Sequence, residues 1–239
     1  MLFNAIHWNP SEGLDLGFFN LHYYSVMFII AFTLGWYIMK KIYVREGIDI
    51  EKLDSLFIYT VLATLIGARL GHVLFYDWEY FQNNLLEIFL PVRFEPEFQF
   101  TGFRGLASHG AAIGIIVAMY LYAKRVLQKP VLWILDRIVI PVASGAIFVR
   151  IGNFINSEII GKPTGTDYGV VFEKLGEDFA RHPAQLYESG CYLLIFLLLW
   201  FIYWKTEKRL KLGYIFGLFL VLLWTVRFFI EFVKEPQVG

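Results

Sequence analysis

The sequence predicts an all-α polytopic membrane protein, a bundle of six to seven transmembrane helices with outward-facing loop or head segments. Three observations predict it. The 239 residues are 57% hydrophobic, 19% aromatic and only 18% charged, with a mean hydropathy of +0.55. The apolar residues come in runs long enough to cross a bilayer, which takes about 20 residues as a helix. Basic residues gather in the short connections between alternate pairs of runs, the pattern that orients membrane helices. The formal net charge is zero, so no bulk field argues for a nucleic-acid partner.

In chain order the spans fall, within a few residues at each end, at 22–42, 53–76, 105–123, 132–156, 186–204 and 212–233. Residues 1–20 contain Asn4, Asn9, Pro10, Glu12 and Asp15 and no apolar core of a cleavable signal peptide. The first span is therefore expected to act as its own insertion signal. The apolar piece from Leu85 to Val92 carries Pro91 and is too short to cross, which suits an interfacial or re-entrant segment. There is no internal repeat, low-complexity tract or composition break, so a single domain over 1–239 is expected. Cys191 is the only cysteine, which excludes an internal disulfide and a cysteine-based metal cluster and leaves it a small packed residue. Gly67/Gly71, Gly110/Gly114 and Gly213/Gly217 have the spacing that lets helix backbones approach closely.

Lys and Arg set the orientation. Lys40, Lys41, Arg45, Lys52, Lys124, Arg125, Lys129, Lys205, Lys208, Arg209 and Lys211 lie in three short connections; Arg93, Arg104, Lys162, Lys174, Arg181 and Lys234 are spread over much longer segments. The first set is expected to be cytoplasmic. The amino terminus and the long connections 77–104 and 157–185 then face outward. Six spans leave the carboxyl terminus outside, and a seventh would reverse it.

On this topology the polar residues within apolar spans converge. Tyr24, with His22 and Tyr23, starts the first span; Arg69 and His72 end the second; Ser108 and His109 begin the third. Arg150, Asn153, Asn156 and Glu158 end the fourth, His182, Gln185 and Glu188 begin the fifth, and Arg227 and Glu231, spaced i,i+4, end the sixth. All fall in the outer leaflet, although loop charges alone set the orientation. Ionisable groups at membrane depth are costly, so such a gathering reads as a site. Arg150 is the hardest to explain otherwise, since a span interior must neutralise it, and a bound phosphate can do so bidentately.

The chain has no His-Glu-x-x-His, no Gly-x-Ser-x-Gly and no paired intramembrane aspartates, which removes zinc, serine-nucleophile and aspartyl membrane proteases. The aspartate pairs of enzymes that condense alcohols with nucleotide-activated lipids are missing too. Two arginines able to hold a phosphate, a histidine able to act as a base, and a tyrosine, amides and carboxylates remain. This set fits displacement of a phosphate-bearing leaving group from a lipid without a metal. A transporter or flippase would need polar residues through the midplane, where Asp136 and Arg137 near the cytoplasmic end of the fourth span are among the few. An assembly factor would not need two arginines and a histidine at one depth.

The stretch Val149-Arg150-Ile151-Gly152-Asn153-Phe154-Ile155-Asn156-Ser157-Glu158-Ile159-Ile160-Gly161 resembles the signature of the prolipoprotein diacylglyceryl transferase family, Gly-Arg-x-Gly-Asn-Phe-x-Asn-x-Glu-x-x-Gly. Val149 replaces the first glycine. His22-Tyr23-Tyr24, Gly67-Ala68-Arg69-Leu70-Gly71, Leu74-Phe75-Tyr76, Ser108-His109-Gly110, Arg181-His182-Pro183-Ala184-Gln185-Leu186-Tyr187-Glu188 and Arg227-Phe228-Phe229-Ile230-Glu231-Phe232 extend the resemblance over nearly the whole chain. Ala111-Ala112 replaces the usual Gly-aliphatic pair and narrows the space beside His109 by one methyl. The seventh span described for the family is not obvious. The resemblance implies transfer of the sn-1,2-diacylglyceryl group from phosphatidylglycerol to the lipobox cysteine of preprolipoprotein signal peptides in the bacterial inner membrane. A thioether forms, glycerol 1-phosphate leaves, and no metal or cofactor is expected. On this reading Arg150 and Arg227 hold the phosphate, and His109 deprotonates the thiol directly or through Tyr24. Asn153 and Glu158 orient Arg150 or the head group, Glu231 fixes Arg227, and Gly161 and Arg69 belong to the substrate site.

Overall fold

The chain is mostly helical and is a multi-pass membrane protein. A computed structural model describes residues 5–15, 17, 20–90, 92–93, 98–100 and 105–236. Three short strands, β1 (Ile6–Trp8), β2 (Gly13–Asp15) and β3 (Asn20–His22), precede helix α1 (Tyr23–Glu46). Helix α2 (Ile50–Phe75) and the single turn α3 (Trp78–Phe81) lead through a 3-10 turn at Leu85–Ile88 to strands β4 (Val92–Arg93) and β5 (Gln99–Phe100). Helices α4 (Ser108–Tyr122) and α5 (Val131–Ile155) follow, then strand β6 (Val170–Phe172), α6 (Ala184–Lys205) and α7 (Tyr214–Glu231). Six of the helices are long and apolar enough to cross a membrane, α4 counted with the wider turn that continues it to Leu127. Among the described residues no seventh reaches that length. The Leu85–Val92 piece forms one 3-10 turn and the start of β4; Pro91, Arg104 and residues 94–97 lie outside the described residues.

Helix ends depart from the expected spans where the backbone turns left-handed. The third span starts at Ser108 rather than 105, because Gly105 has φ +75° and Ala107 is extended, its N–H donating to the Ala68 carbonyl at 2.9 Å. Gln128, at φ 55°, ends the continuation of α4. The sixth begins at Tyr214 rather than 212, because Gly213 sits at φ +80°.

The chain divides into two compact units, residues 43–134 on one hand and 1–42 with 135–239 on the other. In the 43–134 unit α2 and α4 cross at their small residues. A Cβ on Gly67 would stand 2.5 Å from the Gly110 carbonyl oxygen, and one on Gly71 2.6 Å from the Gly110 Cα. The backbones therefore touch, as the spacing predicts for these two pairs. The third pair, Gly213/Gly217, makes no such seam: Gly213 precedes its helix and the space beside Gly217 is open. Away from the crossing, the buried hydroxyls of Tyr43 and Tyr122 meet at 2.8 Å, and Tyr122 donates to the Lys52 carbonyl at 2.6 Å.

In the other unit, Asp136 is buried and joins α5 to the start of α7, accepting from the Gly213 N–H at 2.7 Å and the Phe216 N–H at 2.9 Å. A carboxylate at a helix N-terminus satisfies orphan donors and opposes the helix dipole. A small sheet forms beside these helices. Gly161 bridges to Lys234, Pro163 and Val170 both bridge to Arg181, and β6 runs parallel to β1. Ribbons around 234, 161, 181, 170 and 7 thus lie side by side.

Candidate active site

The signature segment leaves α5 and folds back on itself. The Asn156 N–H still reaches the Gly152 carbonyl, as in a helix, but Ser157 and Ile159 take φ of 58° and 56°. Positive φ is uncommon for any side chain and a true outlier for a β-branched one. Between these two sits Glu158, its N–H on the Asn153 carbonyl at 2.9 Å. Its carboxylate accepts from the Asn153 and Asn156 amides, both at 3.2 Å, and Gln185 donates to its carbonyl at 2.7 Å. The Asn153 side-chain amide oxygen in turn accepts from Arg150 at 3.3 Å. Both signature amides are spent on holding Glu158, and one of them also holds Arg150.

Arg150 has a protein partner that the sequence does not reveal. Its Nε forms an ion pair with the carboxylate of Glu188 on α6, which is 3% exposed. The neutralisation that a span interior demands of Arg150 thus comes at least in part from Glu188. The Tyr192 hydroxyl, one turn further along α6 and buried, interacts electrostatically with Glu188, Arg150 and Arg227. Both arginines of the sequence reading therefore act on one locality. Tyr24 belongs there as well: a Cβ on Gly152 would lie 2.7 Å from its ring, so the signature glycine is the seat of that tyrosine.

Other expectations fare differently. Among the described residues Arg227 and Glu231 form no ion pair; α7 ends at Glu231, whose side chain is exposed. Gly161 is a crossing point. A Cβ there would run into the His182 carbonyl oxygen and stand 2.9 Å from that of Val233, so packing accounts for this glycine. Trp8, which the sequence reading passes over, donates its indole N–H to the Phe154 carbonyl at 3.1 Å, with ring centroids 4.5 Å apart.

In the 43–134 unit, His109 is exposed on the first turn of α4, beside the glycine crossing, its ring 6.1 Å from that of Tyr76. Tyr76 stacks on His72 at 5.9 Å, and His72 faces Asp77 at 3.5 Å. Arg69 is committed locally: it donates to the Ile88 carbonyl at 2.7 Å and the Glu87 carbonyl at 2.8 Å, and lies 4.8 Å over the Phe81 ring. It anchors the turn that follows α3. Glu87 is buried and accepts from Tyr80 at 2.5 Å.

A family model described as prolipoprotein diacylglyceryl transferase matches residues 12–239. The chain belongs to the prolipoprotein diacylglyceryl transferase family. Relatives named phosphatidylglycerol–prolipoprotein diacylglyceryl transferase include one from Bacteroides fragilis, 40% identical over 98% of this chain and 85% of its own length. One from Tolumonas auensis is 41% identical over 97% and 86%, and one from Porphyromonas gingivalis 40% over 90% and 76%. With the family in hand, the Glu188–Arg150–Asn153–Glu158 chain is a feature of a prolipoprotein diacylglyceryl transferase rather than of an unplaced bundle.

Proposed function

We propose that this chain transfers the diacylglyceryl group of phosphatidylglycerol to the lipobox cysteine thiol of preprolipoprotein signal peptides. The observation that carries the reading is the locality shared by Arg150, Arg227, Tyr192 and Glu188. Arg150 is held by Glu188 and Asn153, so its remaining guanidinium N–H groups are presented in a fixed fork. Arg227 forms no ion pair among the described residues and brings its full charge to a phosphate.

In the proposed reaction His109 takes the proton of the cysteine thiol, since the thiolate is the nucleophile. Sulfur attacks the glycerol carbon that bears the phosphate. The carbon–sulfur bond forms, the carbon–oxygen bond breaks, and its electron pair leaves on the phosphate oxygen of glycerol 1-phosphate. Arg150 and Arg227 stabilise the charge gathering on that phosphate, a contribution realised most strongly in the transition state. Tyr24, fixed on Gly152, relays the proton or positions the thiol. Asn153 and Glu158 set the Arg150 fork. Glu231 takes a place in the substrate site, and Gly161 shapes that site by permitting the crossing at His182 and Val233. Arg69 contributes to substrate binding through the turn it anchors. The charge distribution of the connections supports chemistry toward the outer leaflet, and the family supports a bacterial inner membrane as the location.

Purified protein incubated with labelled phosphatidylglycerol and a lipobox peptide tests the reading. Label appears on the peptide cysteine with release of glycerol phosphate, and replacing that cysteine by serine abolishes it. Transfer to the serine peptide, or none to either, rejects the proposal. Arg150→Lys keeps charge but loses the fork, and transfer falls by roughly 10²-fold, the size of one lost transition-state contact. His109→Gln with full activity at neutral pH removes His109 as the base.

A further inference from the structure

Arg181 lies outside the site yet is 9% exposed, and its side chain spans three ribbons of the small sheet. Its backbone N–H and carbonyl pair with Val170, at 2.9 and 3.0 Å. Its guanidinium forks onto Glu177 at 2.5 and 2.6 Å, donates to the Gly161 carbonyl at 3.1 Å and reaches Glu235 at 3.0 Å. Two carboxylates and a carbonyl around one guanidinium form a clamp, and the Glu177 hydrogen bonds above all hold the Arg181 pKa above its ordinary value. The segments it joins are the exits of the two arginine-bearing elements. Gly161 follows the signature that begins at Arg150, and Glu235 follows the end of α7, which carries Arg227. Further stitches run along the same line: the Lys162 N–H donates to the Val233 carbonyl at 2.8 Å, the Glu235 N–H to that of Ile160 at 3.1 Å, and the Lys162 ammonium to that of Phe232 at 3.0 Å.

We infer that Arg181 is a positioning residue: through Gly161 and Glu235 it fixes the end of α7 against the signature segment and so sets the separation of Arg150 and Arg227. This rests on the proposed role of those arginines. A loosened clamp leaves the fold and both arginines present but lets their spacing vary. Binding of the phosphate then suffers while the peptide still binds. Glu235 is the point at which to test it, because its side chain is 45% exposed and Glu177 and Gly161 keep Arg181 satisfied when it is changed.

The experiment measures transfer by the protein, wild type, Glu235→Gln, Arg227→Lys, the double variant, Arg181→Lys and Arg181→Gln, with each substrate varied in turn and the melting temperature of each protein recorded. Glu235→Gln raises KM for phosphatidylglycerol roughly fivefold, leaves KM for the peptide unchanged, and adds no further loss once Arg227 is already Lys. Arg181→Lys, which keeps charge without the fork, falls between wild type and Arg181→Gln. Unchanged kinetics with a lowered melting temperature, equal rises in both KM values, or an effect that simply adds to that of Arg227→Lys overturns the clamp. A wild type that transfers nothing overturns the functional reading itself.

Discussion

The pairing of Arg150 with Glu188 decides how the site can work. A guanidinium only 12% exposed whose charge is already met does not wait for substrate to become tolerable, so the fork is formed before phosphate arrives. Breaking one member of a buried pair strands the other, at about 3–5 kcal/mol. Glu188→Ala is expected to lower stability by that order, read as a melting-temperature shift in detergent. Replacing both partners by apolar residues (Arg150→Met with Glu188→Leu) restores most of the stability and none of the activity. If Glu188→Ala melts like wild type, the pair does not hold Arg150. The sequence marks Glu188 as a carboxylate in an apolar span but cannot name its partner, because residues 38 apart meet only through the packing of α5 on α6. What the sequence does carry is the internal logic of the signature, where Arg150, Asn153, Asn156 and Glu158 contact one another in the folded segment. It does not carry the left-handed Ser157 that aims Glu158. A β-branched side chain suits that conformation poorly, so Ser157→Val costs about 1–2 kcal/mol whereas Ser157→Gly is tolerated, a contrast that thermal unfolding of the two variants measures.

At the scale of elements, the three Gly-xxx-Gly spacings look alike in the sequence and differ in the fold. Gly67/Gly71 and Gly110/Gly114 are the α2–α4 seam, and no side chain fits where their backbones touch. Gly213 is instead the left-handed residue before α7, and Gly217 faces open space. The difference is one of partner, which spacing within one helix cannot encode. Gly71→Ala therefore overpacks the seam and costs about 1–3 kcal/mol. Gly217→Ala is neutral or stabilising by up to about 1 kcal/mol, since alanine loses less backbone freedom in a helix. Melting temperatures of the two variants, measured side by side, check the assignment; equal losses would mean that both glycines lie in seams. The seam also fixes the first turn of α4, so Gly71→Ala is expected to displace His109 and lower transfer, whereas Gly217→Ala leaves it alone.

Across the whole molecule, hydropathy made the six spans legible because each must satisfy its own backbone in lipid, and only a long apolar helix does so. The division at 42–43 and 134–135 left no such trace. Both boundaries fall inside helices, α1 and α5, where no linker composition or charge run marks them. Side assignment is a matter for loop charge alone. The basic residues of 205–211 argue for the cytoplasm, and the segment around Asp167 and Thr166 is then expected outside. Single cysteines decide it. In a Cys191→Ser background, Asp167→Cys and Lys208→Cys each put a thiol on an exposed position. An impermeant maleimide added to cells with only the outer membrane opened labels Asp167→Cys and spares Lys208→Cys, which reacts once the inner membrane is breached. The opposite pattern inverts the molecule. It would put the Arg150 and Arg227 ends of their helices on the side where the thiol of an exported signal peptide does not emerge, and the proposed reaction would lose its acceptor.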